Sequence, residues 1–104
     1  MKTLNFARTG LTLGLLVAAA SVGAADINNG AQIYNRHCAG CHGPSGVSVM
    51  PNAPNVARGA VLMQPDSSLL MSIRSGKNAM PGYMGILKDQ EIFDVIAYMR
   101  TLQR

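Results

Sequence analysis

Two cysteines and a histidine stand together in the run Cys38-Ala39-Gly40-Cys41-His42. The order is C-x-x-C-H, the attachment pattern for c-type haem. Each thiol can add to one porphyrin vinyl group and close a thioether. Two intervening residues let the backbone span both vinyls on one edge of the macrocycle. His42 then falls under the iron with an imidazole nitrogen to offer. Gly40 and Gly43 are expected to leave room for backbone to run against the porphyrin.

Three other chemistries compete for the same residues. A thioredoxin-like redox pair sits in a βαβ context, and no strand-like alternation surrounds Cys38 and Cys41. A closed zinc site needs four ligands, and the only further histidine, His37, is adjacent to Cys38. A disulfide across two residues would add little stability. Haem attachment is the reading carried forward, with His37 expected to be a solvated helix residue.

Iron held by one histidine has an open face. Beyond residue 25 the candidates are Met50, Met63, Met71, Met80, Met84 and Met99. Met71 and Met99 fall in helical apolar stripes and read as core. Met50 and Met63 lie in an irregular apolar stretch. Met80 and Met84 lie in the glycine-rich segment 76–85, suited to bringing a thioether over a flat cofactor. Pro81 stiffens the chain after Met80 and biases Met80 to an extended form, which favours Met80. Met84 stays open as a gap filler or an exchangeable ligand.

The elements that must position these groups are helical. Ile27, Ala31 and Tyr34 recur at helical spacing and predict a helix from Ile27 to Cys38. Gly30 in its middle makes sense if another helix crosses closely. Residues 43–65 hold four prolines, read as loop, and are unusually apolar for a surface. Wrapping a cofactor explains such a loop. Asp66 or Ser67 is expected to cap a middle helix that stops at Gly76. Ile92, Val95, Ile96, Met99 and Leu102 form a buried stripe on a last helix from Asp89 to Leu102.

The first 25 residues read as an address. Lys2 and Arg8 precede an uncharged apolar run, Leu11 to Ala20, followed by small residues. This is the layout of a cleaved secretory signal, with cleavage after Ala25 or after Ala24. Residues 26–104 are then the mature domain, bound for the periplasm and without stable membrane insertion. Its seven basic and five acidic residues leave +2, with no Lys or Arg run for nucleic acid. A domain of 79 residues buries only a modest core, so a further group is expected to fill its middle.

From Asp26 to Arg104 the chain resembles a small bacterial class I cytochrome c. The resemblance rests on Gly30-x-x-x-Tyr34 before CAGCH, Ala53-Pro54-Asn55-Val56, Ala79-Met80-Pro81, and Ile96-Ala97-Tyr98-Met99. It implies an all-α fold of a few short helices around one covalent haem c. It also implies Met80 as distal ligand, the Pro54 carbonyl as partner of the His42 ring, and Tyr98 packed near Gly30. Lys88 stands where such proteins place Ser, Thr or Asp, so the last helix is expected to start a residue out of place. Within the family the chain is similar to the cytochrome c-55X proteins associated with dissimilatory nitrite reductase.

Both axial positions filled by protein leave no vacancy for substrate, so one-electron transfer is expected rather than enzymatic turnover. Redox proteins are the expected partners, nitrite reductase among them. Arg58 is a candidate for pairing with a haem propionate, and the apolar stretches 47–50 and 61–63 for docking. The competing class is a sensor or binder of diatomic gases with a labile Met ligand.

Overall fold

The computed structural model describes residues 3, 10, 12–14 and 23–104. The segment read as an export signal otherwise lies outside the described residues. Four helices follow: α1 (Ile27–His37), α2 (Ala39–His42), α3 (Asp66–Ser75) and α4 (Asp89–Thr101), with a 3-10 turn at Val61–Met63. Among the described residues there is no β-strand, only one isolated bridge between Lys77 and Met80. The all-α expectation holds.

Each helix starts where its polar groups can be satisfied. Asp26 caps α1, its carboxylate accepting from the Asn29 amide at 3.0 Å. Cys38 closes α1 rather than belonging to it, its amide donating to the Tyr34 carbonyl. In α3 the expected caps are corrected: Pro65 holds the N-cap position and Asp66 is the first helical residue. The Pro65 carbonyl takes the Ser68 and Leu69 amides, which frees the Asp66 side chain for a partner elsewhere. Nor does α4 slip. Lys88 is its N-cap, and Glu91 reaches back to accept the Lys88 amide at 3.0 Å, so capping comes from inside the helix.

The apolar stripe of α4 lies in the core as expected: Ile92, Val95, Ile96 and Met99 are all buried. They meet Ile33 and Tyr34 of α1 on one side and Leu69 and Ile73 of α3 on the other. Met71 does not join them; it is 59 % exposed. It lies two residues from Leu69, about 200° around the helix, while α3 buries a single face.

Helices α1 and α4 cross at Gly30. A Cβ there would stand 2.0 Å from the Asp94 carbonyl oxygen. Close approach is thus the reason for this glycine, but the neighbour is α4 backbone. Tyr98, one turn on from Asp94, packs against Tyr34 of α1 as a tilted pair, with ring centroids 5.4 Å apart. Gly30→Ala is expected to force the helices apart. Overpacking costs up to about 3 kcal/mol, more than the ~1 kcal/mol Ala gains in helix propensity. Thermal unfolding of the holoprotein is expected to shift down by roughly 10 °C or more.

Asp94, 4 % exposed, is the one buried charged side chain among the described residues. Its carboxylate accepts from the Asp26 amide (2.8 Å), Asn29 Nδ2 (2.9 Å) and Gln90 Nε2 (3.2 Å). Burial alone pushes its pKa up; the three donors outweigh burial and hold it below the ordinary value. A lowered folded pKa stabilises in full above the unfolded value of about 3.9, and that stabilisation is lost as pH falls below it. Stability measured from pH 6 down to pH 2 is expected to fall more steeply in the wild type than in Asp94→Asn.

Candidate functional site

The C-x-x-C-H run is wound as a helical turn. The Cys41 and His42 amides both donate to the Cys38 carbonyl, at 3.2 and 3.0 Å, and Gly43 donates to Ala39 at 2.9 Å. Cys38 and Cys41, three apart, therefore lie on one side of the turn, with His42 one position further. The Cys41 carbonyl accepts from the Val49 and Met50 amides and from Ser48 Oγ. That ties the following loop to the turn. Gly43 is required by this loop: at φ +81° its Cβ would meet the Val47 carbonyl oxygen at 1.8 Å. A Cβ on Gly40 would meet nothing within 4 Å.

His42 Nδ1 stands 2.9 Å from the Pro54 carbonyl oxygen. A carbonyl only accepts, so Nδ1 carries the proton and Nε2 keeps its lone pair for a metal. Tyr34 supports the same region from below. Its hydroxyl donates to the Gly43 carbonyl at 2.6 Å, and burial, then Cys38, then Tyr98 push its pKa up to about 12. It stays a donor throughout the physiological range.

The Met-bearing segment is held by main chain. Lys77 and Met80 exchange amide–carbonyl bonds at 3.1 and 2.9 Å, with Asn78 in the left-handed region at φ 54°. Tyr83 and Met84 amides then donate to the Ile73 and Arg74 carbonyls of α3. Met80 is partly buried against the core; Met84 is 65 % exposed.

Cys38, Cys41, His42 and Met80 all line one cleft of about 460 Å³, within the span of cofactor sites. Its walls are mainly apolar and include Val56, Leu62, Leu69 and Met99. Met84 and Arg58 are not among its lining residues, whereas Lys77 is. His37 also lines it, partly buried, its ring edge-on to Tyr83 at 5.5 Å, so the solvated reading of His37 is corrected. Sequence reasoning missed Tyr83, whose hydroxyl donates to the His37 carbonyl at 3.0 Å, and Arg100. Arg100 reaches from α4 to the Leu62 and Gln64 carbonyls and to the Asp66 carboxylate, fixing the 61–66 segment beside the cleft.

Burial, and then Cys41, push the Cys38 thiol up to about 11, opposite to the lowered pKa of a redox-active pair. No group of three or more His, Cys, Asp or Glu able to hold a metal ion exists among the described residues, which removes the zinc reading. Two thiols, one imidazole with a free Nε2 and one thioether, around an apolar cleft, fit a haem bound through carbon–sulfur bonds.

Residues 25–99 match the family model described as cytochrome c oxidase, cbb3-type, subunit III. Cytochrome c6 of Thermosynechococcus vestitus is 38% identical over 78 residues, covering 73% of this chain and 70% of that protein. Cytochrome c6 of Synechococcus elongatus is 38% identical over 77 residues, 72% of this chain and 88% of that protein. The structure of cytochrome c6 from the diatom Phaeodactylum tricornutum superposes with a TM-score of 0.63 at 33% identity, covering 74% of this chain and 93% of that one. The c-type cytochrome KustC0563 shares the fold, with a TM-score of 0.66 at 21% identity over 72% of this chain and 98% of that one.

The chain thus belongs to this family of c-type cytochrome domains, as a small class I monohaem cytochrome c. Its cofactor is one covalently bound haem c with its iron, and Cys38 and Cys41 fit the attachment site. It is an electron carrier of the cytochrome c6 kind, not an enzyme.

Proposed function

We propose that the chain is a periplasmic one-electron carrier in which thioethers to Cys38 and Cys41 hold the haem and His42 and Met80 are the axial ligands. The observation that carries this reading is the His42–Pro54 bond, which aims a free Nε2 into the cleft that Met80 also lines. The haem supplies a one-electron ferric/ferrous couple. The protein sets its potential and its access. The Met80 thioether is a soft, weak donor and favours the reduced metal relative to a second imidazole. The Pro54 carbonyl keeps the His42 ring in one tautomer and raises its basicity. The apolar walls around Leu62, Leu69 and Met99 keep water back, which disfavours the additional charge of the oxidised state. The covalent tether and the short main-chain anchors of the Met80 segment limit rearrangement when an electron arrives.

Export through residues 1–25 places the carrier in the periplasm, consistent with the signal layout and with haem attachment of this type following export. No helix among the described residues is long and apolar enough to cross a membrane. Resemblance to cytochrome c-55X supports dissimilatory nitrite reductase as electron acceptor, or as the enzyme whose haem d1 is matured with these electrons. The gas-sensor reading requires Met80 to leave the iron easily; the main-chain bonds that fasten its segment oppose this, and Met84, exposed and outside the cleft, offers no exchange partner.

Visible spectra and stopped flow test the proposal. Ferrous holoprotein is expected to show no spectral change with carbon monoxide and to be reoxidised rapidly by purified nitrite reductase. Carbon monoxide binding would overturn the carrier in favour of the sensor. Inertness toward the reductase would remove that partner while leaving the carrier intact.

A further inference from the structure

We propose that the mature chain begins at Asp26 and that the Asp94 carboxylate of α4 binds the α-ammonium group created there. The inference rests on the reading of residues 1–25 as a cleaved segment.

Asp94 is 4 % exposed, and its three donors are all neutral: a backbone amide, Asn29 and Gln90. The ion pairs among the described residues join Arg74 to Asp89 and Arg100 to Asp66, so neither serves Asp94. A buried carboxylate ordinarily has an opposite charge beside it. The nearer of the two donors to its Oδ1 is the Asp26 nitrogen, at 2.8 Å. Hydrolysis of the Ala25–Asp26 bond by a signal peptidase consumes one water. Ala25 leaves as a carboxylate and Asp26 keeps its nitrogen as –NH₃⁺. The nitrogen need not move to turn a neutral hydrogen bond into a charge-assisted one.

The geometry distinguishes the two cleavage positions that small residues allow. Asp26 is fixed on three counts: its nitrogen faces Asp94, its carboxylate caps α1, and its carbonyl accepts the Gly30 amide at 2.9 Å. Residues 23–25 are exposed. An amino terminus on Ala25 would leave Asp94 against an uncharged amide. Acidic groups face the new terminus: Asp94 from α4 and the Asp26 side chain, with Asp66 at the start of α3 sharing a shallow depression with Ala25 but neutralised by its pairing to Arg100. They offset the repulsion between an ammonium and the positive end of α1. The bond joins α1 to α4 at the Gly30 crossing, so processing itself tightens the helix pair.

Exported holoprotein should give an intact mass beginning at Asp26. A start at Ala25 overturns the proposal, and an uncut chain overturns the signal reading with it. The second measurement is the acylation rate of the α-amine by an N-hydroxysuccinimide ester at pH 7.5, located by peptide mapping. The wild type should react about tenfold more slowly than Asp94→Asn, one unit of amine pKa. Should Asp94→Asn fail to accumulate, a holoprotein with one additional Ala ahead of Asp26 retains Asp94 and should react at the faster rate. Equal rates in wild type and either variant would overturn the ion pair, even with the chain starting at Asp26.

Discussion

Exported Cys38→Ser/Cys41→Ser protein is expected to be colourless after denaturing electrophoresis and haem staining, and unfolded by far-UV circular dichroism. The first outcome follows from chemistry: a hydroxyl does not add to a vinyl group as a thiol does. The second follows from packing. The cleft of about 460 Å³ lies among Val56, Leu62, Leu69, Ile73, Val95 and Met99, all of which also belong to the core cluster. Without the cofactor these apolar side chains face water, and each large one left exposed forfeits roughly 1.5–3 kcal/mol. Total stability of a domain is roughly 5–15 kcal/mol. Helices of 10 to 13 residues do not persist alone in water, so no local structure survives the loss of the centre. Pigment that resisted acid–acetone in this variant would refute the thioether assignment. Retained helical signal would refute the claim that the cofactor completes the core.

Met80→Ala is expected to abolish the absorption band of methionine bound to ferric iron, lower the reduction potential, and open the reduced protein to carbon monoxide. Met84→Ala is expected to leave all three unchanged. The contrast rests on placement. Met80 lines the cleft and is partly buried, while Met84 is 65 % exposed and, two residues beyond the Gly82 amide, is bonded through its own backbone to Arg74. Loss of a thioether leaves iron with one protein ligand and a vacant position, the condition for gas binding. A surviving methionine band in Met80→Ala would transfer the role to another sulfur.

Much of this site is readable in the sequence because its parts are local. C-x-x-C-H is five consecutive residues, and its spacing is the spacing of one helical turn. The α4 stripe is visible because burial repeats with the helix period. Met80 was favoured over Met84 through its neighbour Pro81, again a local signal. What escaped is long-range. Arg100 holds the segment before α3 from 34 to 38 residues away, and no spacing rule anticipates that reach. Tyr83 meets the His37 carbonyl across 46 residues. Met71 misled because an apolar side chain on a helix was read as core, whereas α3 has a partner on one face only. Gly43 carries a demand that the motif does not display: its own loop returns over it within four residues.

The Met80 segment is fastened through amides and carbonyls, while Lys77, Asn78 and Ala79, though largely exposed, also line the cleft. Amide bonds are indifferent to the lettering that decorates them. Positions 77 and 79 therefore answer to what fills the cleft beside them rather than to the backbone, and position 78 is confined to the few residues that tolerate a left-handed backbone. Lineages can thus retune the rim of the cleft while the main chain that carries the sulfur stays where it is.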